Sequence, residues 1–523
     1  MNKTLYYFSL SKLEQKAFFF IFSITLFALS SLLIANVLYS DDFTRVTTGE
    51  TLWNDNGRPL SSFVSILLQL GQPLTDVSPL PQLLAFALYA LSGIYLAKLF
   101  EVNNFLLVTL CGTIFSLNPF NLQNFTFVFD SFPMALAVLT SVLAAFITSI
   151  TVGKNLKKSD LIYSLGTAVL LLLSSLCLYQ AATSVYIVIF LFYALVQLLN
   201  QQNKYQIKYV FKAALVLITS LVLYLPIKNY FITNSYNLYH SETIYFSEAP
   251  RKIVGNLNAF WQTIKFQIGS NNIIDNLLYV LLIATLSVVI IKAIYQIKDN
   301  HQRHKLLFFA CLLSYLLLLM ISPLGMMLVL KNPIFAPRTM MGFTTLVTVC
   351  CLVLAKLVLT ANFKKLRYCL AAFFCIMILA FANVSFTLGN VLYAQNIQDE
   401  IIATVLISDL GEIVPKLPIS LQHPILAVVN SLEYTYGNTK AYEKYPLLKD
   451  ITWFYLKTNQ IQFYTKLETL GFKFTRPHYE KHVYTSPDKK FVPTDKPVVT
   501  RPLYNIYFEN NDLLVVVLQN PGT

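Results

Sequence analysis

The sequence predicts a mainly α-helical, polytopic membrane protein with about eleven transmembrane helices and a small C-terminal soluble α/β domain. Three observations carry that expectation. Of the 523 residues, 56% are hydrophobic and only 12% are charged, where a soluble domain holds roughly a quarter charged residues. Apolar stretches of membrane-crossing length recur from the N-terminus to about residue 390, and mean hydropathy is +0.58. Beyond residue 390 the character changes, with mixed charges and Pro415, Pro418, Pro424, Pro477, Pro493 and Pro497.

By length and polarity the spans fall near 17–39, 80–100, 104–118, 132–152, 161–178, 182–199, 209–230, 273–295, 306–322, 340–360 and 368–390. Lys3, Lys12 and Lys16 precede the first run, which is too long for a signal-peptide core and reads as a retained span. The runs 104–118 and 182–199 are short enough to be tilted or re-entrant. Lysines and arginines set the orientation. Lys154, Lys157 and Lys158, then Lys204 and Lys208, then Lys298, Arg303 and Lys305, then Lys364, Lys365 and Arg367 occupy alternate joints. The joints at 118–131 and 179–183 hold neither residue type, so the N-terminus is expected on the cytoplasmic side of the membrane. The outer, periplasmic side then receives loops 40–79, 231–272 and 323–339. A transmembrane domain over 1–390 and a periplasmic α/β domain over 391–523 follow. In the latter, Ile397, Ile401, Val405 and Leu406 suggest an amphipathic helix and Ile425–Val429 a buried strand. Tyr504–Phe508, Asn510-Asn511-Asp512 and Leu513–Leu518 suggest a hairpin.

The net charge of +13 is explained by cytoplasmic joints, and no basic stripe with interleaved aromatics points to nucleic acid. The seven cysteines all lie in apolar stretches, as small hydrophobes do. His478 and His482 lack the His-Glu-x-x-His order of a zinc helix. No metal site is expected. Asp41 and Asp42 could hold a divalent cation, but hard cations need more oxygen ligands or a bound phosphate.

Chemistry concentrates in the first outer loop. Tyr39-Ser40-Asp41-Asp42-Phe43-Thr44-Arg45 is followed by Gly49, Trp53 and the turn Asn56-Gly57-Arg58-Pro59, then by a run with Phe63, Ile66, Leu67 and Leu70 at helical spacing. That run suits a helix lying in the membrane interface. A sugar hydroxyl becomes a competent nucleophile when a carboxylate accepts its proton, and a second carboxylate can orient the acceptor or stabilise oxocarbenium-like charge. Guanidinium groups such as Arg45 and Arg58 can hold a leaving phosphate. Helix capping by the aspartates is the structural alternative. Asp76 leads into the second span, and Asp130 and Gln180 sit in outer joints where they could contact substrate or simply hold structure. The rigid segment Lys331-Asn332-Pro333-Ile334-Phe335-Ala336-Pro337-Arg338 reads as a phosphate or pyrophosphate clamp through Lys331 and Arg338, with anchoring at the membrane interface as the alternative.

The motif Tyr-Ser-Asp-Asp-Phe-x-Arg, the Asn-Gly-Arg-Pro turn and Asp76-x-Ser-Pro-Leu-x-Gln82 resemble bacterial O-antigen glucosyltransferases of the GtrII type. So do Asn118-Pro119 to Asn124, Asp130-Ser131-Phe132-Pro133-Met134, Leu178-Tyr179-Gln180 and Pro337-Arg338-Thr339 with Gly342. The resemblance covers most of residues 1–345. It implies a GT-C fold and transfer of glucose or a related hexose from an undecaprenyl-phosphate-linked sugar to the O-antigen of lipopolysaccharide. It also implies catalytic roles for Asp41 and Asp42 and a site in contact with membrane lipids. A lipid-linked-sugar flippase or transporter and an O-antigen polymerase are the competing readings.

Overall fold

The computed structural model describes residues 8–153, 157–200, 203–269, 272–299, 305–361, 363–416, 425–453, 455–456, 461–472, 474, 493, 496–509 and 513–519. Lys154, Arg303, the His478/His482 pair and the expected turn Asn510–Asp512 lie outside these residues.

Helix α1 (Lys12–Ala28) opens with a reciprocal cap, in which Ser11 Oγ accepts from Glu14 N and Glu14 accepts from Ser11 N. It is separated at Leu29 from α2 (Ser30–Ala35). The outer loop holds α3 (Asp42–Thr48) and α4 (Pro59–Leu68). Then come α5 (Leu80–Leu99), α6 (Phe105–Leu117), α7 (Leu122–Thr126), α8 (Ser131–Gly153), α9 (Lys158–Leu178), α10 (Thr183–Leu199) and α11 (Asn203–Phe231). A joint containing α12 (Ser235–Ser241) and α13 (Ala249–Ile268) precedes α14 (Ile273–Asp299), α15 (Lys305–Ile321) and α16 (Met341–Ala361).

Among the described residues nine helices are long and apolar enough to cross a membrane, ten if α6 and the segment Pro119–Thr126, bent by 47°, form one broken span. The chain is a multi-pass membrane protein. The bend falls in the run 104–118 already noted as short, and Pro119 supplies its cause by ending α6. The eleventh expected span, 17–39, is the hinged pair α1–α2, whose longer part has 17 residues and reaches about 25 Å.

Interior and lipid-facing helices differ sharply. In α8 78% of the apolar window is buried within the protein, against 22% in α11. Helices α11, α14 and α15 turn Ile218, Val222, Ile283, Ile290 and Leu317 outward, which water would penalise and hydrocarbon accepts. Inside, α5 and α6 cross where Gly93 meets Gly112. A Cβ on Gly93 would stand 2.7 Å from the Gly112 Cα, so this approach needs Gly93, while a Cβ on Gly112 would run into Ile21 of α1.

Helix α17 (Lys364–Ile413) is 50 residues long and runs unbroken past residue 390, from the bundle into the C-terminal region. Its packed face there is Ile402, Ala403, Leu406 and Leu410. Ile397, Ile401 and Val405 are instead exposed, so the expected amphipathic stripe is real but rotated, with only Leu406 shared. Against this face lies a four-stranded sheet of β1 (Ile425–Val429), β2 (Val499–Thr500), β3 (Tyr504–Glu509) and β4 (Leu513–Leu518), in the order β1-β4-β3-β2. The expected strand is β1, parallel to β4, and the expected hairpin is the antiparallel β3–β4 pair. Asp409 of α17 ties helix to sheet, accepting from Arg501 at 2.9 Å and from the Tyr504 hydroxyl at 2.6 Å. Short helices α18 (Thr439–Lys444), α19 (Leu447–Ile451) and α20 (Ile461–Thr469) complete the chain.

Candidate active site

Asp41 is the N-cap of α3, and its carboxylate is exposed, touched only by a 3.3 Å bond from Ser40 Oγ among the described residues. Asp42, one residue on, points into the protein and is fully buried. Adjacent residues of a helix differ by about 100° in direction, and that rotation separates the two. Asp42 Oδ2 accepts from the backbone N–H groups of Tyr39 at 3.1 Å and Val128 at 2.8 Å, and Oδ1 from Phe129 N at 3.3 Å.

Arg45, three residues further, follows Asp42 inward and is 2% exposed. Its Nη1 donates to Asp130 Oδ2 at 2.6 Å and stands 3.7 Å from Asp42, and Nε donates to the Thr51 carbonyl at 3.3 Å. The guanidinium lies 4.2 Å from the centre of the Trp53 ring, and Trp53 Nε1 donates to Asp130 Oδ1. Two carboxyl groups thus share one buried cation. Burial pushes the Asp42 carboxyl up to about 8, against the pull of Arg45 and with help from the negative charge of Asp130. A proton on Asp42 leaves the buried trio electrically neutral, the arrangement a low-dielectric site favours. Asp42, Arg45 and Asp130 therefore form one enclosed network, and the expected pair of neighbouring carboxylates resolves into one open group and one enclosed group.

The open group has cationic company. Arg338 sits in a single turn, Pro337–Thr339, with its backbone N–H bound to Gln123 Oε1 at 2.9 Å. Its guanidinium lies 5.3 Å from the Phe127 ring centre; burial works against its charge, and the carboxylates of Asp41 and Asp130 support it. Arg58 lies over the Tyr179 ring at 4.5 Å. Neither arginine has a carboxylate within ion-pairing distance among the described residues. Gln180 aims Arg58. Its Oε1 accepts from Arg58 Nε at 2.9 Å, while its Nε2 donates to the Asn56 carbonyl at 2.8 Å and the Tyr224 hydroxyl at 2.7 Å. The turn beneath needs glycine: Gly57 has φ +69°, and a Cβ there would stand 2.8 Å from Tyr224 Oη.

Two of the sequence candidates stay outside this cluster. Asp76 is exposed and accepts from Ser78 N at 2.8 Å, closing its own turn. Lys331 is paired with Glu242 at 2.9 Å beside the Tyr245 ring, and a backbone bridge between Thr243 and Leu330 fixes that pair. Its charge is already answered.

Three residues that the sequence left unranked connect the parts. Gln123 donates to the Tyr39 hydroxyl at 3.1 Å while accepting from Arg338 N, so one amide links the aspartate loop to the arginine turn. Tyr179 stands between both arginines. The motifs around Tyr39 and Leu178–Gln180 were the available signal. The C-terminal region also reaches the loop: the Tyr39 hydroxyl donates to the Ile451 carbonyl at 2.6 Å and Tyr455 Oη to the Leu38 carbonyl at 2.7 Å. Phe43 and Tyr455 meet edge to face at 4.6 Å.

Helix α4 turns its serines inward, Ser61 Oγ donating to the Leu178 carbonyl at 2.7 Å, and leaves Phe63 and Leu67 exposed. That is the orientation of a helix bathed in lipid rather than water. Between α4 and α9 an apolar groove of about 340 Å³ begins at Pro59, next to Arg58, and continues past Phe63, Leu173 and Cys177. Among the described residues no three His, Cys, Asp or Glu side chains gather as a metal ion would require.

Residues 30–349 match the family described as glucosyl transferase GtrII. The chain belongs to that family. This member is also 26% identical over 327 residues to an uncharacterised 55.3 kDa protein in the gtrB 5' region of Salmonella phage P22. The match spans 61% of this chain and 64% of the phage protein, less than two thirds of the relative's length. No solved structure matches the chain.

Proposed function

We propose that the chain is a GT-C-type glucosyltransferase of the bacterial inner membrane, with the N-terminus cytoplasmic and the carboxylate loop and C-terminal α/β domain periplasmic. It takes a hexose from a polyprenyl-phosphate donor, undecaprenyl phosphate, and transfers it to the O-antigen of lipopolysaccharide. The observation that carries this reading is the exposed carboxylate of Asp41 acting on Arg338, with Arg58 against the nearby Tyr179 ring, both guanidinium groups lacking a carboxylate within ion-pairing distance among the described residues. A general base and an unneutralised anion site are the two things such a transfer needs.

In the reaction Asp41 accepts the proton of an acceptor hydroxyl as its oxygen bonds to the anomeric carbon. The bond from that carbon to the phosphate oxygen breaks, and its electron pair stays on the phosphate. A phosphodiester of one negative charge thereby becomes a monoester of about two, so cations fixed at the phosphate stabilise the transition state more than the ground state. The apolar groove at Pro59 offers the prenyl chain a path along α9 that keeps it in hydrocarbon while its phosphate meets Arg58.

Mass spectrometry of lipopolysaccharide from cells with and without the gene tests the reading. A gain of one hexose per repeat is expected. Altered chain length at constant repeat mass would favour a polymerase instead. An unchanged repeat in both respects, with the protein inserted, would defeat the transferase assignment. Alkaline phosphatase fused after Thr523 should be active, and an inactive fusion would reverse the proposed orientation.

A further inference from the structure

A second polar site lies at the other end of the bundle. It is a cavity of about 490 Å³ lined by the far ends of α5, α8, α10, α14 and α16 and the beginning of α11. Those helices run about 20 residues from the carboxylate loop, so the cavity is roughly 30 Å away. Lys292 and Lys356 both line it, with Glu101 as the one carboxylate. Lys356 Nζ is bound by Glu101, at 2.9 Å to the carboxylate and 3.3 Å to the carbonyl. Lys292 Nζ has only a 3.3 Å bond to Asn200 Oδ1 and no carboxylate among the described residues. The Tyr209 side chain lines the same cavity, 1% exposed, and its hydroxyl has no hydrogen-bond partner among the described residues. The remaining walls are largely leucine, valine and phenylalanine.

These observations describe a cavity of definite chemistry. Two ammonium groups against one carboxylate leave a single net positive charge at this end of the bundle, carried by the half-buried Lys292, and the buried Tyr209 hydroxyl lies in the wall without a partner among the described residues. A partly desolvated cation without a counter-charge is disfavoured, and a buried unmade hydrogen bond adds to that cost. A ligand with one negative charge, phosphate oxygens to accept and an apolar body would answer all three features. We propose that this cavity binds the phosphodiester headgroup of an anionic phospholipid from the leaflet opposite the carboxylate loop. Lys292 and Tyr209 meet the phosphate, and the acyl chains leave along the apolar walls. The glycerol-linked diester, with one charge, matches the site better than a monoester with about two.

The test uses the full chain, purified in detergent and placed in nanodiscs of phosphatidylcholine alone or with phosphatidylglycerol. Native mass spectrometry should find one phosphatidylglycerol retained per chain, and the lipid should raise the melting temperature. Removing one charge-assisted contact typically weakens binding by roughly tenfold or more. Lys292→Gln and Tyr209→Phe should therefore release the lipid more readily, and Lys292→Arg should retain it. Lys365→Gln, at an exposed position in the first turn of α17, should behave as the parent. If Lys292→Gln misfolds, the comparison of Tyr209→Phe with Lys292→Arg still decides the matter. Equal retention of phosphatidylcholine, unchanged retention in Tyr209→Phe, or an equal melting shift from inorganic phosphate in phosphatidylcholine would overturn the assignment.

Discussion

Asp41 and Asp42 are neighbours in the chain, yet they sit in regions built on opposite principles. Around Asp42 three backbone N–H groups, one guanidinium shared with Asp130 and an indole N–H form a buried network. Around Asp41 the groups are left open, with two arginines held by backbone, amide and aromatic contacts rather than by carboxylates. A closed network is hard to disturb and useful as a foundation. An open one carries unspent electrostatic capacity, which binding a charged substrate can use. The contrast teaches that proximity in a motif does not confer a shared role, and each of the following experiments sharpens or breaks it.

The largest effect is expected at Asp41. Asp41→Asn keeps the shape and removes the base, so transfer should fall by about 10²–10⁴-fold with insertion and melting temperature unchanged. A variant that inserts and transfers at the parental rate would remove Asp41 from the chemistry. Asp130→Ala should do the reverse. It takes from buried Arg45 its 2.6 Å partner and leaves only Asp42 at 3.7 Å, a change that costs up to about 3–5 kcal/mol, so yield and melting temperature should drop before any kinetic defect is measurable. Normal stability in Asp130→Ala would mean that the enclosed network is not structural.

Arg338 comes next. Arg338→Ala should lower transfer by roughly 10–100-fold, the size of a lost hydrogen bond to a charged group, with weaker dependence on donor concentration. Arg338→Lys should fall between, since it keeps the charge and loses the planar fork. Unaltered kinetics in Arg338→Ala would leave the turn as an anchor. A smaller effect is expected with pH. The folded protein holds the Asp42 proton to about 8 while the unfolded chain releases it near 3.8. The unfolded state therefore binds fewer protons between these values, and stability should decline as pH rises through that window and level off above it. Asp42→Asn cannot titrate, so its melting temperature should vary less across the same window. Equal slopes for parent and variant would contradict a neutral Asp42. Lys331→Ala is placed last: its partner is Glu242 at the surface, and transfer should remain close to the parental rate.

Much of the fold was legible because membrane and sheet both impose local patterns. A stretch of hydrocarbon length with few charges has one stable form in lipid, a helix. The β-prone runs Tyr504–Phe508 and Leu513–Leu518, separated by Asn-Asn-Asp, pair antiparallel as neighbours in sequence. The loop carrying Asp41, Arg58 and Gly57 was visible for a similar reason: charges at the end of an apolar run and a Gly-Pro turn are local signals. The rotated face of α17 was less legible, since Ile397, Ile401 and Val405 are apolar whether they meet the sheet or not. The pairing of Lys331 was not legible, because nothing in its own segment announces Glu242, 89 residues away.

Sequence alone, then, determined that this chain crosses a membrane many times, ends in a small α/β region and places its carboxylates and arginines in loops at the helix ends. Tertiary structure alone decided which aspartate is open and which is enclosed, because Arg45 finds Asp130 across 85 residues and Gln123 meets Arg338 across 215. Hydrophobic length and turn chemistry act within a few residues and can be read from order. Neutralising a buried charge depends on what packs against it from elsewhere in the chain, and only the folded structure specifies that neighbour.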